Sequence, residues 1–339
     1  MKVLFFTIGD SNIASSRARV YEFIPYLAQI GVESQIIPLV RYEEGEGETK
    51  NRWVRYSRSL KRIFAVLKKT SFFDIIFIQR LILPYWIHLF LKKKSKKMVY
   101  DLDDAVYLTL NGYKKELFYK RIQSYNGVIS ANRFLEEAMK PYVQKIISIP
   151  TCVNTKRLFP NPTKMRSGES KVRIGWIGTP HSEKYLFSME SIFEQLNCHY
   201  ALEFHLISDG NSIFSKIPVK AKKWSLNTEV ADLQEMDIGV MPLSDGSWEK
   251  MKSGYKILQY MAVGIPVVAA GVGINPDLIQ HGVNGFIANH SEEWIRYLSL
   301  LIESPSKREE IGMSGRKFVE ENYDHQVQFE RLYQFLLSV

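Results

Sequence analysis

Two short stretches hold residue types and spacings able to do chemistry. In KSGYKILQYMAVG, residues 252–264, Lys252 and Lys256 flank Ser253 and Gly254 at the head of an apolar helical pattern that stops at Gly264. A helix N-terminus offers unpaired N–H groups and a partial positive end, so two lysines, a hydroxyl and a glycine there suit a phosphate-type anion. In YDLDDAV, residues 100–106, Asp101, Asp103 and Asp104 close a strand-like run. Strand alternation puts Asp101 and Asp103 on one face and Asp104 on the other. Such carboxylates accept hydrogen bonds from hydroxyls, hold a divalent cation with help from substrate phosphates, or, as Asp103 or Asp104, cap the next helix.

Other candidates lie where strand-like runs end. Gly175, Gly178, Thr179 and Pro180, then His181, end one run; the glycines allow a ligand close to the backbone or make a tight turn, and His181 can bond a phosphate or sugar or sit in solvent. Asp209 and Gly210 end another and are equally good turn residues. Gly9 and the segment Ser15, Ser16, Arg17, Ala18, Arg19 follow the first run, and Arg80 follows the third. Arg17 and Arg80 suit a phosphate or acceptor contact, with a salt bridge as the competing use.

Elements must hold these residues. Strands are expected at 2–8, 34–39, 74–79, 97–102, 127–131 and 145–150, with helical patterns between most of them, which predicts a parallel sheet covered on both faces. A stretch rich in Pro, Asn, Ser and Thr follows, and the pattern then restarts with strands at 172–178, 202–208, 237–243, 264–270 and 285–288. The expectation is an α/β chain of two Rossmann-like domains facing across a cleft, with ligands outside the carboxyl ends of the strands. The domains run over 1–160 and 172–322, joined by a linker at 161–171 and closed by a helix at 323–339.

The 339 residues are 45% hydrophobic and 24% charged, ordinary globular material. Two cysteines, Cys152 and Cys198, argue against a disulfide framework or a thiolate metal site and fit a reducing cytoplasm. The apolar run in MKVLFFTIGD is too short for a secretory signal, and no apolar run reaches the roughly 18 to 20 residues of a membrane span. Residues 1–150 hold 25 Lys+Arg against 14 Asp+Glu; residues 151–339 hold 20 against 22. The run 50–69 has eight basic residues and no acid, and 92–97 adds five lysines. Trp53, Tyr56, Leu60, Ile63 and Leu67 recur at helical spacing, with Arg52, Arg55, Arg58 and Arg62 largely elsewhere, so 50–69 reads as a basic amphipathic helix. It serves either to lie on an anionic membrane surface or to pack a core with a solvated basic face. No nucleic-acid module accompanies the charge, and no nucleic-acid partner is expected.

The stretch SGYKILQYMAVGIPVVAAGVGINPDLIQHGVNGFI, with the later ENYD, resembles the C-terminal half of family 4 glycosyltransferases (glycosyltransferases group 1) of the GT-B fold. The likeness extends through IGWIGTPHSEKYL, ISDG and DIGVMPL, and more weakly through SSRARVYEFIPYLAQIGV and YDLDDAVY. It implies a nucleotide-sugar donor on the second domain, a saccharide or lipid-linked acceptor on the first, transfer with retention, no metal or other cofactor, and a closing helix at 323–339 that crosses back to the first domain. Asp209 and Gly210 would lie near the nucleobase.

The chain departs from the family at two glutamates eight positions apart, which fall here on Met251 and Gln259. Gln259 can still accept from ribose hydroxyls through its amide oxygen, whereas Met251 cannot. Lys252 and Lys256 match a branch with a K-x-G-aromatic-K pattern, and Lys252 would stabilise the departing nucleoside diphosphate. With Asp101 or Asp103 orienting the acceptor, the expected activity is a retaining hexosyltransferase of bacterial envelope or exopolysaccharide synthesis, cytoplasmic or peripheral at the inner membrane face. A silent glycosyltransferase-like subunit and a nucleotide-sugar epimerase of the same fold are the alternatives. A dehydrogenase is disfavoured, since no G-x-G-x-x-G follows either first strand.

Overall fold

A computed structural model describes residues 1–41, 52–162, 171–210, 214 and 217–339, with the backbone alone for residues 52, 55 and 56. Lys50 and Asn51 of the basic run and residues 163–170 of the expected linker lie outside the described residues. The chain divides into two compact units, one of Met1–Cys152, Met251–Ser253 and His325–Val339, the other of Val153–Lys250 and Gly254–Asp324.

In the first unit, among the described residues, β1 (Lys2–Gly9), β2 (Glu33–Val40), β3 (Ile75–Gln79), β4 (Lys97–Leu102), β5 (Gly127–Ser130) and β6 (Ile146–Ser148) pair in the order β2-β1-β3-β4-β5-β6, all parallel. The runs VLFF, IIFI and MVY in β1, β3 and β4 are buried throughout, as strands covered on both faces require. Each such side chain contributes about 1.5 to 3 kcal/mol by burial. The helices here are α1 (Ala14–Arg19), α2 (Ile24–Gln29), α3 (Arg52–Leu67), α4 (Tyr85–Lys94), α5 (Tyr113–Ile122) and α6 (Arg133–Met139). Ile63, Val66 and Leu67 bury the core face of α3, but Trp53, expected on that face, is 79% exposed.

In the second unit, β7 (Val172–Ile177), β8 (Leu202–Ile207), β9 (Val219–Lys222), β10 (Ile238–Met241), β11 (Val267–Ala269) and β12 (Phe286–Ile287) pair in the order β12-β11-β10-β7-β8-β9, again all parallel. Its helices are α7 (Glu190–His199), α8 (Glu229–Glu235), α9 (Tyr255–Ala262), α10 (Asn275–Leu278), α11 (Ser291–Glu303) and α12 (Pro305–Asn322). The chain then returns to the first unit as α13 (His325–Ser338), whose Leu332, Phe335 and Leu336 join Val3, Phe5, Phe77 and Val99 in one core. Gly127 makes room for it: a Cβ there would lie 2.6 Å from Val339 and 2.7 Å from Phe335.

All eleven expected strand segments are strands. β9 is an addition; VKAK is a short, half-exposed sheet edge and lacks the continuous apolar run that marks the others. In each sheet the winding reverses beside the first strand, between β1 and β3 and between β7 and β10, and the ends of those strands are where a doubly wound sheet opens a crevice.

Candidate functional site

In the second unit the polypeptide leaves β7 at Gly178 and enters a 3-10 turn from Pro180 to Tyr185. A Cβ on Gly178 would strike the Trp176 ring at 2.3 Å and the Lys256 Cε at 2.7 Å, so only glycine lets the Lys256 stem cross here. The Lys256 ammonium stands 5.1 Å from the Trp176 ring centroid, a cation–π distance. Lys256 lies in the first turn of α9, which Gly254 opens in the left-handed region with φ 67°. Ser253 is therefore outside the helix it was expected to open. The Tyr260 hydroxyl accepts from Ile177 N–H at 3.1 Å and donates to Val240 at 3.3 Å, tying β7 to β10 beside the switch point. Its burial raises its pKa, which keeps that hydroxyl protonated.

The Thr179 and Ser182 hydroxyls bond each other at 3.1 Å, while His181 and Asp209 are exposed. Beneath them sits a carboxylate the sequence did not single out. Glu183 is 3% exposed, its Oε1 has no hydrogen-bond partner, and it lies so close to Gly210 that a Cβ there would come within 2.0 Å. Gln259 is buried and donates its amide to Glu229 Oε1 at 3.2 Å. Glu229, also missed, takes further bonds from Trp224 at 3.1 Å and Arg157 at 2.7 Å. Its only sequence mark is its place at the start of α8, which many solvent-facing acids share.

In the first unit Gly9 N–H and the Ser16 hydroxyl belong to a buried turn. Ser16 accepts from Gly9 at 3.2 Å and bonds Gln79 Oε1 at 3.1 Å, and Ile8 N–H donates to the same oxygen at 3.2 Å. Arg17 is buried and donates to Ser11 O at 2.9 Å. Asp101 is 1% exposed and closes an ion pair with Arg19, which bonds both of its oxygens at 3.1 and 3.2 Å through Nε and donates through Nη1 to Ile149 O at 2.6 Å. Burial pushes the Asp101 carboxyl up while Arg19 pulls it down; burial likewise opposes the Arg19 charge, which Asp101 restores.

The alternation that would put Asp101 and Asp103 on one face runs only to Leu102, where β4 ends; Asp101 is paired with Arg19, and Asp103 adds to the negative charge that supports Arg19. Asp103 and Asp104 share Arg80, at 3.5 and 3.2 Å. Arg80 has φ 52°, the one positive value on a non-glycine residue among those described, and stands at the switch point after β3. Asp103 Oδ1 makes no hydrogen bond. Burial and Asp103 push the Asp104 carboxyl up, while Arg80 and Lys252 pull it down. The peptide oxygens of Met251 and Lys252 accept from Asn132 Nδ2 at 2.9 and 3.3 Å.

The structure thus gathers Gly178, Gly254 and Lys256 with Trp176 in one unit, and Arg80, Asp103, Asp104 and Lys252 in the other. Among the described residues no group of three His, Cys, Asp or Glu is placed to hold a metal ion.

Residues 171–304 match the family model described as glycosyl transferases group 1. Spore coat protein SA of Bacillus subtilis strain 168 is 35% identical over 82 residues, a stretch covering 23% of this chain and 21% of that protein. Among solved structures, HepE of Anabaena in complex with UDP and glucose superposes with a TM-score of 0.69 over 100% of both chains at 15% identity. A glycosyltransferase from Rickettsia africae ESF-5 gives 0.73 at 15% identity over 99% of this chain and 98% of that one. Sucrose-phosphate synthase from Thermosynechococcus elongatus gives 0.71 at 11% identity over 100% and 98%. At such identities the likeness establishes the fold, GT-B.

Proposed function

We propose, from the premise that residues 171–304 are a glycosyl transferases group 1 domain in a chain of GT-B fold, that the protein is a retaining glycosyltransferase moving a sugar from a nucleotide-sugar donor to a saccharide or lipid-linked acceptor. The observation that carries this reading is the corner made by Gly178, Gly254 and Lys256. It brings the Lys256 ammonium and the glycine-lined start of α9 to the topological switch point of the second sheet, where a diphosphate is held by positive charge and backbone N–H groups. The UDP of the HepE complex is a ligand of that kind.

In this reading residues 172–322 hold the donor and residues 1–160, with the closing segment 323–339, serve the acceptor. Thr179, His181, Asp209, Gly210, Ser253 and Gln259 line the donor, and Gly9, Ser16, Arg17 and Arg80 shape the acceptor side. Lys252 and Lys256 stabilise the leaving diphosphate in place of a metal, and Asp103 orients the attacking hydroxyl. The bond from the anomeric carbon to phosphate breaks as the acceptor oxygen bonds on the same face, and the acceptor proton passes to the departing phosphate oxygen. The acceptor belongs to bacterial envelope or exopolysaccharide synthesis, met at the inner membrane face.

A second reading, a catalytically silent binding subunit, is favoured by Met251 and by the amide of Gln259 being turned onto Glu229. Calorimetric titration with UDP, GDP, ADP and CMP in a metal chelator separates the two. The expected result is saturable binding of one diphosphate, at least about tenfold weaker in Lys256→Ala, as the loss of a charge-assisted contact implies. No binding of any of the four, with or without magnesium restored, would sink the transferase reading.

A further inference from the structure

Among the described residues, buried arginines are well supplied with acceptors. Arg17, Arg19, Arg308 and Arg316 all donate to carbonyl or carboxylate oxygens. Arg121, near the end of α5, is the exception. It is 9% exposed, makes no ion pair, and its Nε has no hydrogen-bond partner. Its guanidinium stands 5.6 Å over the Tyr85 ring of α4; burial lowers its pKa, and the hydroxyls of Tyr125, Tyr100, Tyr85 and Tyr113 only partly oppose this. Tyr100 is buried with its hydroxyl unpartnered as well, 5.2 Å from Tyr125 ring to ring. Tyr85 and Tyr113 are exposed, and of the Arg121 nitrogens only Nε is fully buried without a partner.

A buried guanidinium Nε and a buried hydroxyl, each without a partner, are costly to keep and ask for an acceptor. Lys92 adds a second positive charge nearby, since Arg121 and Lys92 both act on His88 of α4. The sum suits a group with more than one negative charge, and the planar fork of arginine matches phosphate.

We infer that α4 and α5 form a binding site for a phosphate or diphosphate group, held by Arg121 and by the Tyr100 hydroxyl, in the first unit and separate from the Lys256 corner. It rests on the transferase reading only for naming that group as part of the acceptor. The group is either free or the head of a lipid.

The test titrates the full chain carrying Lys256→Ala, which disables the corner proposed for the nucleoside diphosphate, with inorganic pyrophosphate and with farnesyl phosphate. Binding is expected to weaken about tenfold or more in Arg121→Gln, severalfold in Tyr100→Phe, and partly in Arg121→Lys, which keeps the charge and loses the fork. Arg121→Gln in the chain that keeps Lys256 is expected to leave nucleotide binding intact. A second readout is the His88 ring. Burial with Arg121 and Lys92 holds its pKa down to about 4, and a bound anion should raise it, seen by NMR. Tighter binding of farnesyl phosphate supports the lipid source; equal or tighter binding of pyrophosphate supports the free one. Binding of neither, or binding unchanged in both Arg121→Gln and Tyr100→Phe, overturns the site whatever becomes of the donor corner. Should Arg121→Gln fail to fold, Tyr100→Phe and Arg121→Lys decide.

Discussion

Asp101 and Asp103 stand two residues apart, and their surroundings assign them to different tasks. Asp101 neutralises the buried Arg19, so Asp101→Asn would strand a charge in the core, a change that typically costs about 3 to 5 kcal/mol. Asp103 is buried too, but it meets Arg80 only at 3.5 Å and Arg80 keeps Asp104 at 3.2 Å as a second carboxylate, so Asp103→Asn should cost about 1 to 2 kcal/mol, clearly less than Asp101→Asn. Its effect should fall on turnover. Denaturant melts of the two variants beside a transfer assay check this; a melt for Asp103→Asn as poor as that of Asp101→Asn would make Asp103 structural. At this scale the sequence was half legible. Strand-end position pointed to Arg80, the aspartates and Gly178, but partners were hidden by distance along the chain. Asp101 and Arg19 are 82 positions apart and Gln259 and Glu229 are 30 apart, and no local pattern joins them.

Strands and their order were easier to read than helix ends, because an apolar run is a property of consecutive residues whereas a cap depends on backbone angles. Gly254 illustrates the second case: its left-handed φ starts α9 at Tyr255 and leaves Ser253 outside. Helix packing hides another glycine whose reason is invisible in sequence. Gly312 sits within α12, where alanine would be favoured by about 1 kcal/mol on propensity. A Cβ there would fall 2.2 Å from the Gly264 carbonyl oxygen, a backbone atom just past α9 that cannot swing aside. Gly312→Ala should therefore destabilise the second unit by about 1 to 3 kcal/mol net, as overpacking does. Gly31→Ala is the control, since its φ is 75° but no atom lies within 4 Å of the added methyl. It should cost only the left-handed strain, about 1 to 2 kcal/mol. Thermal melts of both, with α9 followed through nucleotide affinity, check the argument: loss of affinity in Gly312→Ala and its retention in Gly31→Ala are expected.

Over the whole chain the excess charge is a property of one half, and its first unit also shows aromatic surface. Trp53 is 79% exposed and Phe72 71%, and Phe64 on α3 stacks on Trp86 of α4 at 5.4 Å with both rings exposed. Lys92, Lys93 and Lys94 form the last turn of α4, and Arg58, Lys61, Lys68 and Lys69 are exposed on or just after α3. Exposed rings beside lysines carry little meaning singly, but together they fit the boundary between lipid headgroups and acyl chains. No helix among the described residues is long and apolar enough to cross a membrane. The full chain should sediment with vesicles rich in phosphatidylglycerol and not with pure phosphatidylcholine. Each basic residue near the surface contributes about 1 kcal/mol, an attraction that salt screens within a Debye length of about 10 Å at 0.1 M. Binding should therefore fall steeply between low and high salt. Phe64→Ala with Trp86→Ala should weaken what survives at high salt, because ring insertion is unscreened. Binding that ignores lipid charge, or that the double substitution leaves whole, would assign these rings and lysines to solvent and leave a lipid head to the phosphate site on α4 and α5.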